Sequence, residues 1–177
     1  MVTSSHHAPL IVTALLPADV QAWADRLRKM HFPPHRNFLS AHVTLFHALP
    51  PGVLDEARDL LRNLAAHTIA PRAFLASVMD LGGGTAFRIR SEGMMDLRAR
   101  IADHFHGMLV AQDSGRPRLH VTIQNKVARP EAQQLQGVLQ HDFVPREFAF
   151  AGLALHHYRG GPWEDAGRWA FRGHRKP

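Results

Sequence analysis

The 177-residue sequence predicts a single domain of mixed helices and strands that contains an internal repeat. The length suits one domain that buries its own core without disulfides. Strand-like and helix-like segments follow one another in the order βαβαββαβαββ, and no linker divides them. The tripeptide His-Val-Thr occurs twice, at residues 42–44 and 120–122, with starts 78 residues apart. The order of strand, helix, His-Val-Thr strand, helix and hairpin-like pair therefore occurs twice along the chain if the strand at 85–90 begins the second copy.

The first copy begins with the β-branched apolar segment 9–17, which is typical of a buried strand. Residues 18–30 are predicted to form an amphipathic helix. Its apolar residues at helical spacing are Val20, Trp23, Leu27 and Met30. A proline-punctuated loop leads into the first His-Val-Thr strand, at about 41–49, and a second helix is predicted at 53–67.

Glycines 82–84 supply the positive φ that a tight turn needs, so the segments on either side are predicted to pair as a hairpin. Pro130 is well placed to open a helix that runs to Gln140. The remaining predicted elements are strands 73–81 and 85–90, a helix at 94–109, the second His-Val-Thr strand at about 119–127, and strands 146–158 and 168–173 across the loop 159–167.

The composition favours anionic partners, because the net charge is +6 and only 3 of the 21 basic residues are lysines. Arginine is the planar, bidentate phosphate binder of the two. Cysteine is absent, which excludes disulfides, a thiol nucleophile and thiolate metal sites. The N-terminal apolar run is short and has no basic flank, so we expect a cytoplasmic protein without a membrane span. We expect it to be a monomer.

The two His-Val-Thr strands carry the strongest chemical signal. Side chains alternate across a strand, so His42 and Thr44 share one face, and His120 and Thr122 share one face in the second copy. About 0.03 such tripeptides are expected from the composition, so two are not accidental. Two histidines can supply the base and the acid that phosphodiester cleavage needs, and hydroxyls can hold the phosphate oxygens. This chemistry requires no metal or cofactor.

At these residues, "AHVTLFHAL" and "LHVTIQNKV", the sequence resembles the two-histidine phosphoesterase superfamily, which includes 2′-5′ RNA ligases and RNA 2′,3′-cyclic phosphodiesterases. The resemblance covers most of the chain, but only the two motifs are specific. It implies an α+β, bilobal fold, in which two pseudo-symmetric antiparallel sheets backed by helices face a central cleft in one domain spanning residues 1–177.

The resemblance also implies that His42 and His120 form the catalytic acid/base pair and that Thr44 and Thr122 hold the phosphate. The order of acid and base stays open. Some relatives place an arginine shortly after each motif threonine, where this chain has His47 and Asn125. Candidates for the missing positive charge are Arg88, Arg90, Arg118 and Lys126.

An aromatic platform would suit a nucleobase, and Tyr158 is the candidate for substrate binding. Strand alternation places Phe46 on the same face as His42 and Thr44. For both Phe46 and Trp163, however, packing in the core is the expected role. No HExxH or comparable spacing predicts a metal site. The other histidines considered are expected at the surface: His6, His7, His31, His35, His104, His106, His156 and His157.

The leading functional hypothesis is a metal-independent phosphoesterase that opens 2′,3′-cyclic phosphates of RNA ends or small nucleotides. By microscopic reversibility, the same site can join a 5′-hydroxyl to such an end as a 2′-5′ linkage. One alternative is a non-catalytic RNA or nucleotide-phosphate binding module, which the missing arginines favour. Another is a phosphodiesterase for a different cyclic phosphate.

Overall fold

The computed structural model describes residues 8–174, which form eight strands and five helices together with two short 3₁₀ turns. The first half contains β1 (Leu10–Leu15), α1 (Ala18–His31), β2 (Val43–Leu49), α2 (Leu54–His67), β3 (Arg72–Asp80) and β4 (Thr85–Arg90). The second half contains α3 (Glu92–His104), α4 (Ala111–Ser114), β5 (His120–Gln124), α5 (Arg129–Asp142), β6 (Arg146–Ala149), β7 (Gly152–His157) and β8 (Glu164–Ala170).

The strands form two four-stranded antiparallel sheets with related topologies. One sheet, the first sheet, has the order β2-β1-β7-β8, and the other, the second sheet, has the order β5-β4-β3-β6. In each sheet the His-Val-Thr strand lies at the edge and pairs with the strand that precedes it across a helix. The edge strands β2 and β5 lie against each other. The predicted α+β fold of two pseudo-symmetric antiparallel sheets is confirmed.

Burial explains why α1 packs where it does. Val20, Ala24 and Arg28 are buried at i, i+4 and i+8, while Trp23 and Leu27 pack against the edge of the core. Met30, which was predicted to belong to the apolar stripe, is 71% exposed, because the buried face ends at Arg28. None of the helices within residues 8–174 has the length and apolar character that crossing a membrane requires.

The strand predicted at 146–158 is wrong in one respect, since it is two strands in different sheets. β6 pairs with β3, and β7 pairs with β1. The chain changes sheets between them, where Phe150 N donates to Pro71 O and Ala151 N donates to Leu15 O at 3.0 and 2.7 Å. Apolar residues continue through the change of sheet, so the sequence pattern gives no sign of it. The last strand also begins earlier than predicted, at Glu164, and contains Gly167 at a φ of 154°.

A β-bulge in β2 separates Phe46 from the motif residues. Thr44 pairs with Thr13 and Phe46 pairs with Val12, so one extra residue is accommodated between two consecutive positions of β1. Phe46 is fully buried in the core. The prediction that it shares a face with His42 and Thr44 is therefore wrong, whereas its expected core position is correct.

Two buried arginines connect each crossover helix to the histidine strand of the other sheet. Arg28 on α1 donates to Thr122 O of β5 at 2.9 Å, and Arg98 on α3 donates to Leu45 O of β2 at 3.1 Å. Burial lowers the pKa of both guanidinium groups, against the opposing effect of Asp25 and Asp113 respectively. Breaking either contact would leave a buried charge with fewer partners, so these contacts hold the two edge strands together.

The short helix α4 covers the outer edge of β2. The carboxylate of Asp113 is buried and accepts hydrogen bonds from the backbone nitrogens of His47 and Ala48 and from His47 Nδ1, at 2.9–3.0 Å. Burial raises the pKa of Asp113, but these hydrogen bonds outweigh burial and lower it overall. Asp113 therefore supplies acceptors to the edge of β2 that has no hydrogen-bonded strand beside it.

Candidate active site

The two motif histidines have matching orientations on their strands. His42 Nδ1 lies 2.9 Å from Ser40 O, and His120 Nδ1 lies 2.8 Å from Arg118 O, so each ring bonds to the carbonyl two residues before it. A carbonyl only accepts, and Nδ1 must therefore carry the hydrogen in both rings. This tautomer leaves Nε2 of each neutral imidazole free to accept a proton.

The motif threonines follow the alternation that the sequence predicts. Thr44 and Thr122 are both half-buried, between fully buried neighbours on their strands. Thr44 lies opposite Thr13 of β1, and Thr122 lies opposite Ala86 of β4. Each hydroxyl is thus on the face of its strand that carries the motif histidine.

A cleft pocket of about 340 Å³ joins the two halves of the site. Its lining includes His42 from the first motif and Thr122 from the second, together with Arg28, Asn125, Tyr158 and Trp163. The structure thus places Tyr158, the predicted base-binding residue, at this pocket with its side chain 44% exposed. His120 is not among the lining residues, but it is near enough to His42 to contribute to the lowering of the pKa of His42.

Trp163 packs directly against His42, with ring centroids 4.5 Å apart at an angle of 57°. It also lies 5.4 Å from the ring of His156, and these three residues line a second pocket of about 210 Å³. The expectation that Trp163 packs in the core is wrong, because the residue lies on the loop between β7 and β8 and lines both pockets.

Burial lowers the pKa of His42 to about 4. The hydrogen bond to Ser40 acts in the opposite direction, whereas the positive charges of Arg28, His156 and His120 lower the pKa further. His42 is therefore neutral at physiological pH, and its free Nε2 is in the state that a general base needs.

His156 is a third histidine in this region. Its Nε2 lies 3.0 Å from Thr13 Oγ1, and burial together with the charge of Arg168 lowers its pKa against the opposing effect of Asp165. The expectation that His156 and His157 lie at the surface is wrong, since each is only 9% exposed on the central strand β7.

The other histidines in that set differ in exposure. His35, His104 and His106 are exposed, as expected, and His31 is half-buried. His6 and His7 lie outside the described residues. Within residues 8–174, no three histidine, aspartate or glutamate side chains are arranged to hold a metal ion.

The residues that replace the relatives' arginines have different surroundings. His47 bonds to Asp113 on the outer edge of β2, whereas Asn125 lines the cleft pocket. Arg28 supplies a positive charge in that pocket, and the sequence reading missed it. Its spacing of four and eight residues from Ala24 and Val20 places it on the buried face of α1, but this spacing does not indicate a cleft residue. Lys126 is exposed, with a φ of 62° in the turn after β5.

Two histidine strands that meet between related sheets define the class of two-histidine phosphoesterases. The model of the 2′-5′ RNA ligase superfamily matches residues 16–162, and the chain belongs to this family. A comparison with curated proteins gives no match.

Solved structures share the fold at low sequence identity. The crystal structure of TT0787 from Thermus thermophilus is 19% identical, with a TM-score of 0.63, and the match covers 94% of this chain and 100% of that one. E. coli LigT complexed with 3′-AMP is 18% identical, with a TM-score of 0.57 and coverage of 93% and 98%. E. coli LigT complexed with NADP+ is 17% identical, with a TM-score of 0.57 and coverage of 94% and 99%.

Proposed function

We propose that this protein is a metal-independent phosphodiesterase that hydrolyses 2′,3′-cyclic phosphates at RNA ends or in small nucleotides, with His42 and His120 as its acid/base pair. The observation that carries this proposal is the matched pair of imidazoles. Both are fixed through Nδ1 to a carbonyl; His42 directly precedes β2 and His120 begins β5, and these two edge strands lie against each other. Membership of the 2′-5′ RNA ligase superfamily supports the same substrate chemistry.

The protonation of His42 favours one direction of proton transfer. Neutral His42 takes a proton from water through Nε2 as the water oxygen attacks phosphorus. The bond from phosphorus to the 2′ or 3′ oxygen breaks, and that oxygen receives a proton from the imidazolium of His120. With a 5′-hydroxyl in place of water, the hydroxyl loses its proton to His42 as its oxygen attacks phosphorus. The bond from phosphorus to the 3′ oxygen then breaks, that oxygen takes a proton from His120, and the product has a 2′-5′ linkage.

The remaining cleft residues suit phosphate and base binding. The hydroxyls of Thr44 and Thr122 donate hydrogen bonds to the non-bridging oxygens and hold phosphorus between the rings. Tyr158 and Trp163 line the same pocket and offer aromatic surface to the terminal base. The positive charge of Arg28 favours the anionic substrate at this position.

A panel of nucleoside 2′,3′-cyclic monophosphates in the presence of EDTA tests this function. We expect turnover to persist with the chelator and to fall about 10²–10⁴-fold in His42→Ala and in His120→Ala, as loss of a general acid or base predicts. His106→Ala alters an exposed histidine and serves as the matched control. Loss of turnover on chelation, or full turnover in both motif variants, would contradict the mechanism.

The replacement of the relatives' arginines by His47 and Asn125 favours the alternative of a binding module without turnover. Binding and turnover should therefore be measured together on the same cyclic nucleotides. Tight binding by the unaltered protein with no product formed over the panel would favour the module. Product formation that depends on both motif histidines would exclude it.

A further inference from the structure

A second groove lies beside the candidate active site on the second sheet. It has a volume of about 600 Å³ and crosses the start of β5, the end of β4 and the start of β3. Five arginines from these three regions line it: Arg72, Arg88, Arg90, Arg116 and Arg118. We refer to it as the arginine groove. The roles proposed above for the histidines and threonines do not use it.

The arginine groove begins next to the second motif histidine. Arg88 lies directly opposite His120 in the antiparallel pairing of β4 with β5, so the two side chains share one face of the sheet. Arg118 lies two residues before His120, and its carbonyl holds the histidine ring. Two of the lining arginines, Arg88 and Arg118, are therefore immediate neighbours of His120.

Most of the charge in this groove is not neutralised. Within residues 8–174, no carboxylate oxygen lies within 4.0 Å of the guanidinium nitrogens of four of its arginines: Arg88, Arg90, Arg116 and Arg118. Arg72 is paired with Glu147, and Glu92 is the one carboxylate among the lining residues. Like charges repel, so a cluster of this kind is most favourable when a polyanion binds to it.

An exposed aromatic ring accompanies the arginines. Phe74 is 48% exposed, lines the groove, and pairs with Arg90 across β3 and β4. A positively charged groove that follows a phosphate backbone, together with an aromatic side chain on which a base can stack, is the pattern of single-strand binding. An isolated inorganic anion would need the arginines but would gain nothing from Phe74.

The equivalent position in the first sheet has different chemistry. The pocket formed there by the end of β1 and the loop before β2 contains Trp163, His156 and Phe38 rather than a cluster of arginines. The two related sheets therefore offer an aromatic pocket on the His42 side and a phosphate-binding surface on the His120 side. This asymmetry suits a substrate with one terminal base and a run of phosphates.

We propose that the arginine groove binds the single-stranded RNA segment immediately upstream of the cyclic phosphate. This inference rests on the proposed function, because a 2′,3′-cyclic phosphate ends its strand and every other phosphate of that strand lies on the 5′ side. The substrate is then an oligoribonucleotide, and the groove distinguishes it from a cyclic mononucleotide. One backbone phosphate can be bound by each unpaired arginine.

Binding is measured with an RNA hexamer that ends in a 3′-phosphate, by fluorescence anisotropy at several salt concentrations. Four phosphate contacts predict a slope of log K against log salt of about −2.8, or roughly 50-fold weaker binding when salt rises fourfold. The double variant Arg90→Gln/Arg116→Gln should have a slope of about −1.4, or roughly a 7-fold loss. Arg26→Gln/Arg100→Gln changes the same charge at exposed positions outside the pockets and should keep the slope of the unaltered protein.

Turnover provides a second readout, as the ratio of kcat/KM for cyclic-phosphate RNAs of increasing length to that for the cyclic mononucleotide. The ratio should rise with each of the first four upstream phosphates and should fall in Arg90→Gln/Arg116→Gln only. Equal salt slopes in the two double variants, or a kcat/KM ratio that does not rise with RNA length, would overturn the proposal that the groove binds RNA. Neither result would contradict hydrolysis of the cyclic mononucleotide. The proposal would also be overturned if a separate strand with a 5′-hydroxyl end competed for the groove while upstream length did not raise the kcat/KM ratio. If no cyclic phosphate is hydrolysed, the proposed function fails, and the anisotropy data still decide the groove.

Discussion

Acidification should destabilise this protein through His42. An unfolded histidine has a pKa near 6.5, and burial lowers the pKa of His42 in the folded protein to about 4. Between these two values the unfolded chain binds more protons than the folded one, so the free energy of unfolding decreases as the pH falls. At 1.36 kcal/mol per pKa unit, the stability lost between pH 6.5 and pH 4 is about 3 kcal/mol.

The assay is urea unfolding across this pH range for the unaltered protein, His42→Gln and His106→Gln. His106 is exposed, so its replacement should leave the pH dependence unchanged. His42→Gln should flatten the dependence by about 3 kcal/mol in total, since the glutamine cannot be protonated. His156 contributes in the same direction, but it is present in all three proteins. Parallel curves for the unaltered protein and His42→Gln would refute the lowered pKa and, with it, the assignment of His42 as the neutral base.

Three further changes test other parts of the site and fold. Trp163→Leu removes the ring that packs on His42. From roughly 1–3 kcal/mol of lost base stacking we expect KM for cyclic nucleotides to rise about 5- to 160-fold with kcat little changed, and an unchanged KM in steady-state kinetics would contradict this role. Asp113→Ala removes the acceptor for the edge of β2, and we expect urea unfolding to show a free energy of unfolding lower by about 2–4 kcal/mol. A decrease of less than about 1 kcal/mol would contradict this role and would mean that water replaces the carboxylate. Gly84→Ala places a Cβ against the carbonyl of Gln124, and thermal unfolding should occur at a lower temperature than in the matched exposed variant Gly137→Ala.

The pairing of β3 with β4 was predictable because a local turn pattern specifies it. Glycines 82–84 indicated the hairpin between β3 and β4. Alternation placed each motif histidine with its threonine, but it failed at Phe46, because the bulge in β2 has no signal in the sequence. The change of sheet at Phe150 and Ala151 was not predictable, because both of the sheets it joins bury apolar residues and the periodicity does not change. Long-range pairing decides such a position, and one sequence holds no record of it.

The motif half of the site was visible in the sequence, while its surroundings were not. His42 and Thr44 could be placed by their spacing alone. Arg28 lies on a helix that precedes the motif, and Trp163 lies in a loop more than a hundred residues after it. These two residues reach the site only through tertiary packing, so neither has a local pattern that identifies it as a cleft residue.

Within residues 8–174 the chain passes twice between the two sheets, after β2 and after β6. Each sheet takes strands from both halves of the sequence, and the buried Arg28 and Arg98 each bond across to the opposite histidine strand. Separating the two sheets would break these buried contacts, so we expect the sheets to keep their relative positions when a substrate enters. Entry and release would then depend on exposed side chains at the pockets, such as Phe38, which is 66% exposed. A new substrate preference can accordingly arise by replacing such exposed residues, while the two sheets keep His42 and His120 in the same relative positions.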